Sequence, residues 1–190
     1  RLPHLAGCQS DPVDWLTFPE QCLRTIASGC VFHDGLDQLE SIRAKLNYYP
    51  RDVWLYLLAV QWRRISQEEP FMGRCGQVGD DLGSAVVAAR LVRDVMKLCF
   101  LMERQYAPYS KWFGTVFSTL SMASDLEPVF HRVLDSQNWP EREKYLSTAY
   151  EYIAAQHNKL GVMQPINTKV RNFWGRPFKV IGGEVIAQAI

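Results

Sequence analysis

The chain has 190 residues, of which 47% are hydrophobic and 22% charged, with six tryptophans; this composition excludes a disordered protein and suits one domain with a substantial core. Its 21 basic and 20 acidic residues nearly cancel, so no global field draws it to nucleic acid or to an anionic membrane, and any cationic function has to be local. No apolar run reaches the roughly 18 residues of a membrane span, and the five cysteines (Cys8, Cys22, Cys30, Cys75, Cys99) are odd in number and form no CxxC pair, which reads as reduced thiols in a cytoplasmic protein.

Residues 1–14, punctuated by Pro and Gly, read as a linker or as the remnant of a preceding domain, and 15–190 as a single helical domain. Pro19, two residues after Thr17, opens a helix that Gly29 stops. The string "GCVFHDGLDQL" predicts a small β-hairpin near residues 30–40, turning at His33-Asp34-Gly35, with a further turn of helix through Leu46. Pro50 opens a helix that runs to Glu69 and Pro70 closes it. Residues 71–81 read as a polar loop because three glycines punctuate them. From Leu82 to Gln105 an uninterrupted periodic pattern predicts the longest and most central helix, and Pro108 forbids its continuation. Helices over 109–120, 126–137 and 141–160 follow, then an irregular "NFWGRPFKVIGGE" and a short C-terminal helix. The expectation is an all-α bundle of about six helices with one small hairpin.

On a helical wheel of about 100° per residue, Leu91, Val92, Val95, Met96, Leu98, Cys99 and Met102 form a core face, while Arg90, Arg93, Lys97 and Arg104 fall within a sector of about 60°. That ridge is either a solvated face paired with carboxylates or the wall of a groove that holds a phosphate-bearing ligand. The stretch "QYAPYSKWFG" turns the chain back beside the end of the ridge, which brings Tyr106, Tyr109, Lys111 and Trp112 towards Arg104; a tight aromatic corner with a solvated lysine is the alternative. Arg74 with Asp80 and Asp81 reads as a polar rim, one of the two acids capping the long helix.

Several catalytic patterns are missing. The glycines of "GRCGQVGDDLGS" lack the GKS or GKT of a phosphate loop and follow no strand. Gly83-Ser84 is followed ten residues later by Asp94, Val95 and Met96 rather than by paired magnesium-binding carboxylates. His4, His33, His131 and His157 are dispersed and suggest no triad. No catalytic residue, metal ligand or cofactor is therefore assigned to this chain.

Taken together, "GCVFHDG", "LNYYPRDVWLY", "GRCGQVGDD", "RQYAPYSKWFG" and "FWGRPF" resemble a helical domain of unknown function that follows nucleotidyltransferase-like domains in microbial proteins. That family is similar to the helical C-terminal domains of kanamycin-type nucleotidyltransferases. The resemblance covers about residues 15–178 and marks Asp34, Tyr49, Pro50, Trp54, Arg74, Asp80 or Asp81, Tyr106, Pro108, Tyr109, Lys111, Trp112 and Trp174. It implies a domain that binds nucleotide or substrate beside a catalytic head absent from this chain, the magnesium entering with the nucleotide and held mainly by that head. Lys111, Arg104 and Arg90 would neutralise a triphosphate, Tyr106 or Tyr109 with Trp112 would face the ligand, and Arg74 with Asp81 would meet the acceptor. A non-catalytic helical protein-interaction module is the alternative expectation.

Overall fold

The computed structural model describes residues 11–36 and 38–190, so residues 1–10 of the expected linker lie outside it. Asp11 caps α1 (Pro12–Thr17) by accepting from the Val13 amide. The remaining elements are α2 (Glu20–Ser28), α3 (Leu39–Lys45), α4 (Arg51–Glu68), α5 (Phe71–Gln77), α6 (Asp81–Met102), a 3₁₀ turn (Ser110–Trp112), α7 (Phe113–Phe117), α8 (Ala123–Asp135), α9 (Trp139–Lys159), strands β1 (Arg171–Asn172) and β2 (Lys179–Val180), and α10 (Gly183–Ala189). The described chain is thus mostly helical with one small antiparallel sheet.

α6 is the axis of the bundle, with α4, α5, α8 and α9 packed on it. The Asp80 carboxylate accepts from the Gly83 amide at 2.7 Å and fixes its start. Its stop is a Schellman motif: the Gln105 amide donates to Phe100 and the Arg104 amide to Leu101, with Arg104 in the left-handed conformation at φ 51° where glycine is usual. The helix therefore ends at its own cap, four residues ahead of Pro108. Because Tyr109 is extended and only a 3₁₀ turn and five helical residues follow, the expected helix over 109–120 is a compact corner instead.

The small sheet is not at residues 30–40. Asp34 there accepts from the amides of Leu36 (3.4 Å) and Leu39 (2.7 Å), which commits the backbone to launching α3, while Phe32 and Leu36 remain exposed with no apolar partner to reward a strand. The sheet pairs Arg171 with Val180 and Asn172 with Lys179. Residues 71–77, expected as loop, are α5. Two of its glycines serve packing: a Cβ on Gly73 would sit 2.5 Å from the Phe178 side chain, and one on Gly76 2.2 Å from Trp139.

Polar groups lock the interior in two places. At the junction of α4 and α10 the buried Glu69 carboxylate accepts from the amides of Ile181 (2.7 Å), Gly182 (3.1 Å) and Gly183 (3.1 Å). Between α4 and α9, His157 is 1% exposed and its Nδ1 accepts from the Trp62 indole at 3.2 Å. With that tautomer the proton sits on Nε2, which is buried without a partner.

Candidate functional site

The basic ridge of α6 does not converge on one hollow. Arg90 pairs with Glu68 of α4, a carboxylate that Arg64 also holds at 2.7 Å. Arg93 lies over the Phe113 ring at 5.5 Å, and the Lys97 ammonium is 3.5 Å from Glu20. The reason is axial: from Arg90 to Met102, where α6 ends, the helix rises roughly 18 Å, and Arg104 lies beyond it in the cap, so cations expected to share a sector meet different neighbours.

Behind the Arg90 pair is a buried charge cluster. Arg64 Nε is 3.5 Å from Asp94 Oδ2, and Gln61 Nε2 donates to the Asp94 carbonyl (3.0 Å) and to its carboxylate (3.3 Å). Burial pushes the Asp94 carboxyl above its ordinary range, opposed by the Arg64 charge. Glu68 Oε2, Asp94 Oδ2 and Tyr150 Oη are buried without hydrogen-bond partners.

Lys111 stacks over its neighbour Trp112 at 5.0 Å, and both Trp112 and Tyr109 are about half exposed. The Tyr109 amide donates to Gln21. Arg74, on α5, lies over the Phe71 ring at 5.4 Å, whereas Asp81 faces Arg142 at 4.0 Å. Arg142 also donates to Ser84 at 3.3 Å. Arg74, Asp81, Arg90 and Lys111 thus occupy separate settings.

Two of the sequence-derived residues, Arg104 and Tyr106, do share a hollow, where Arg24 joins them. Beyond the α6 cap, the guanidinium of Arg104 stacks on Trp54 at 4.3 Å, and Arg24 of α2 donates to the Tyr106 carbonyl at 2.9 Å. They line a hollow of about 180 Å³ with Ser28, Asn47, Gln105 and Tyr106, and no carboxylate is on its wall. Among the described residues neither guanidinium belongs to an ion pair. The Tyr106 ring itself is not free to stack on a ligand: it is buried against Tyr49 at 4.9 Å, and its hydroxyl donates to the Leu46 carbonyl. Burial, with the Glu20 charge second, holds its phenol well above the usual range, so it stays neutral.

Arg24 and Asn47 are the members that sequence reasoning misses. Neither is in a motif, and their proximity to Arg104 depends on how α2 and the α3–α4 junction fold over the end of α6. Among the described residues no three His, Cys, Asp or Glu side chains gather into a metal site. Among the same residues no helix is long and apolar enough to cross a membrane.

Residues 15–113 match the domain of unknown function DUF4037, a span that contains every wall residue of the Arg24–Arg104 hollow. No curated protein and no solved structure matches the chain.

Proposed function

The chain belongs to the DUF4037 family, and we propose that it is a helical binding domain for a phosphate-bearing ligand such as a nucleotide, acting with a nucleotidyltransferase-like head. The carrying observation is the pair Arg24 and Arg104, which come from α2 and from the cap that ends α6 to one carboxylate-free hollow. Guanidinium groups bind phosphate through paired, charge-assisted N–H donors. The Asn47 amide adds a donor at the rim. At about 180 Å³ the hollow suits a phosphoryl group, while the neighbouring hollow of about 320 Å³ at Ala27, Glu40, Arg43, Ala44 and Asn47, where Glu40 is paired with Arg43, leaves room for an uncharged part of the molecule. The residues bind and neutralise; bond-making belongs to the head, which the resemblance of the aromatic corner to nucleotidyltransferase-associated domains suggests.

Calorimetric titration of magnesium-ATP and of pyrophosphate tests this. Arg24→Ala and Arg104→Ala each weaken binding roughly 10- to 100-fold, in line with about 1.5–3 kcal/mol for a charged hydrogen bond, and Lys111→Ala leaves it unchanged. A purely structural role, in which the two cations offset the negative ends of α2 and α6, gives the opposite result: lower stability and equal or absent binding in all variants. A second reading, a non-catalytic interaction module, is favoured by the exposed Tyr109 and Trp112 beside Lys111. It gains if none of the phosphates bind.

A further inference from the structure

The turn between β1 and β2 carries a tryptophan that the fold does not explain. Phe173 accepts from the Arg176 amide at 2.8 Å, with Trp174 at φ 46° and Gly175 at φ 73° between them. Two successive positive φ values define a type I′ turn, whose first central position takes Asn, Asp or Gly. Trp174 fills it while 89% exposed, so it has the strain of a left-handed L-residue and almost no burial in return.

Beneath the turn is a cleft of about 420 Å³ between the residues that join the strands, Phe173 to Phe178, and the end of α5, within the range of small-ligand sites. Phe173 and Phe178, stacked at 5.9 Å, form its aromatic side, and Gly73 lets α5 approach Phe178 closely. Arg74 and Arg176 line it with Gln77, and no carboxylate does. Neither guanidinium is in an ion pair among the described residues. The cleft on the other side of Trp174, about 710 Å³, differs in having Glu69 and Glu184 on its wall.

We propose that the Arg74–Trp174–Arg176 cleft is a second binding site, for a small molecule that combines a planar ring with an anionic group. The ring stacks on Trp174, which accounts for an aromatic at a strained and exposed turn, and the anion bridges the two guanidiniums. With two guanidiniums and no acid on its wall, the cleft disfavours a cationic ligand of the same size. The site is independent of the Arg24–Arg104 hollow.

The test follows the Trp174 indole N–H signal in ¹H–¹⁵N spectra of the whole chain, identified by its loss in Trp174→Asn, while phenyl phosphate, inorganic phosphate and benzylamine are titrated separately. Phenyl phosphate shifts the signal saturably, whereas inorganic phosphate at equal concentration moves it at least tenfold less and benzylamine leaves it in place. Arg74→Ala and Arg176→Ala each raise the Kd about tenfold or more, and the control pair Arg24→Ala/Arg104→Ala leaves it unchanged, so failure here and failure of the phosphate hollow are told apart. Trp174→Asn, whose remaining signals report the cleft through the Gly175 amide, weakens binding yet raises Tm. No shift with phenyl phosphate, equal shifts with all three probes, or a Trp174→Asn variant that binds as the wild type or melts lower would overturn the proposal.

Discussion

Acid weakens this fold through one imidazole. His157 is enclosed between α4 and α9, and burial lowers its pKa from 6.5 to about 4. A depressed histidine pKa means that the unfolded chain binds the proton more readily, so the stability contribution is whole above pH 6.5 and is lost as pH falls from 6.5 towards 4. With those two values, linkage gives a loss of about 2 kcal/mol by pH 5 and about 3 kcal/mol by pH 4, relative to neutral pH. Against a typical total of about 5–15 kcal/mol, that is enough to move the midpoint of urea unfolding substantially. Urea titrations followed by tryptophan fluorescence at pH 7, 6, 5 and 4 measure it, with His157→Gln as the reference. Glutamine keeps an acceptor for the Trp62 indole but has no proton to take up. Carboxyls that burial raises, Asp94 and Glu143 among them, act in the opposite direction and cancel in the difference between the two proteins. The gap between the two curves should close on acidification because the wild type falls faster. Parallel curves from pH 7 to 4 would refute the reasoning, since a buried neutral imidazole cannot be indifferent to its own protonation.

Two other predictions concern packing. Glu69→Ala leaves the buried amides of Ile181, Gly182 and Gly183 without acceptors, at about 1–3 kcal/mol each before relaxation; hydrogen exchange over residues 181–190 should accelerate far more than over α6, and uniform exchange would count against the pin. Gly76→Ala adds about 1 kcal/mol of helix propensity but drives a methyl into Trp139, so the net effect is a loss of about 1–3 kcal/mol in denaturant unfolding. A stabilised Gly76→Ala would mean that α5 and α9 are not in contact there.

The long helices were legible because their signals are local and redundant. α4 is expected over 50–69 and occurs at Arg51–Glu68; α6 is expected over 82–105 and occurs at Asp81–Met102. Prolines, a capping aspartate and sustained periodicity mark those ends in the sequence itself. α5 is hidden because Gly73 and Gly76 resemble loop punctuation, although they are demanded by Phe178 and Trp139, both distant in sequence. The sheet is hidden for a related reason: Trp-Gly is not the usual signal for a type I′ turn, and each strand has two residues. In the candidate site, angular position placed Arg90, Arg93, Lys97 and Arg104 on one ridge but carried no information about which neighbour each meets along the axis. Arg104 reaches its hollow through a left-handed cap, and its partner Arg24 arrives from a helix some 80 residues away.

The carboxylates enclosed between α4 and α6 fix how those helices can lie against each other. Apolar side chains alone tolerate a slide of one turn, about 5.4 Å, with modest loss, since leucine meets valine almost as well as isoleucine. Such a slide would strand Asp94 away from Gln61 and Arg64, a buried acid without a counterpart, and would part Glu68 from Arg90, leaving it only Arg64 of its own helix. The interior thus has a single permitted alignment, and substitutions among its oily residues can accumulate without changing which turn faces which.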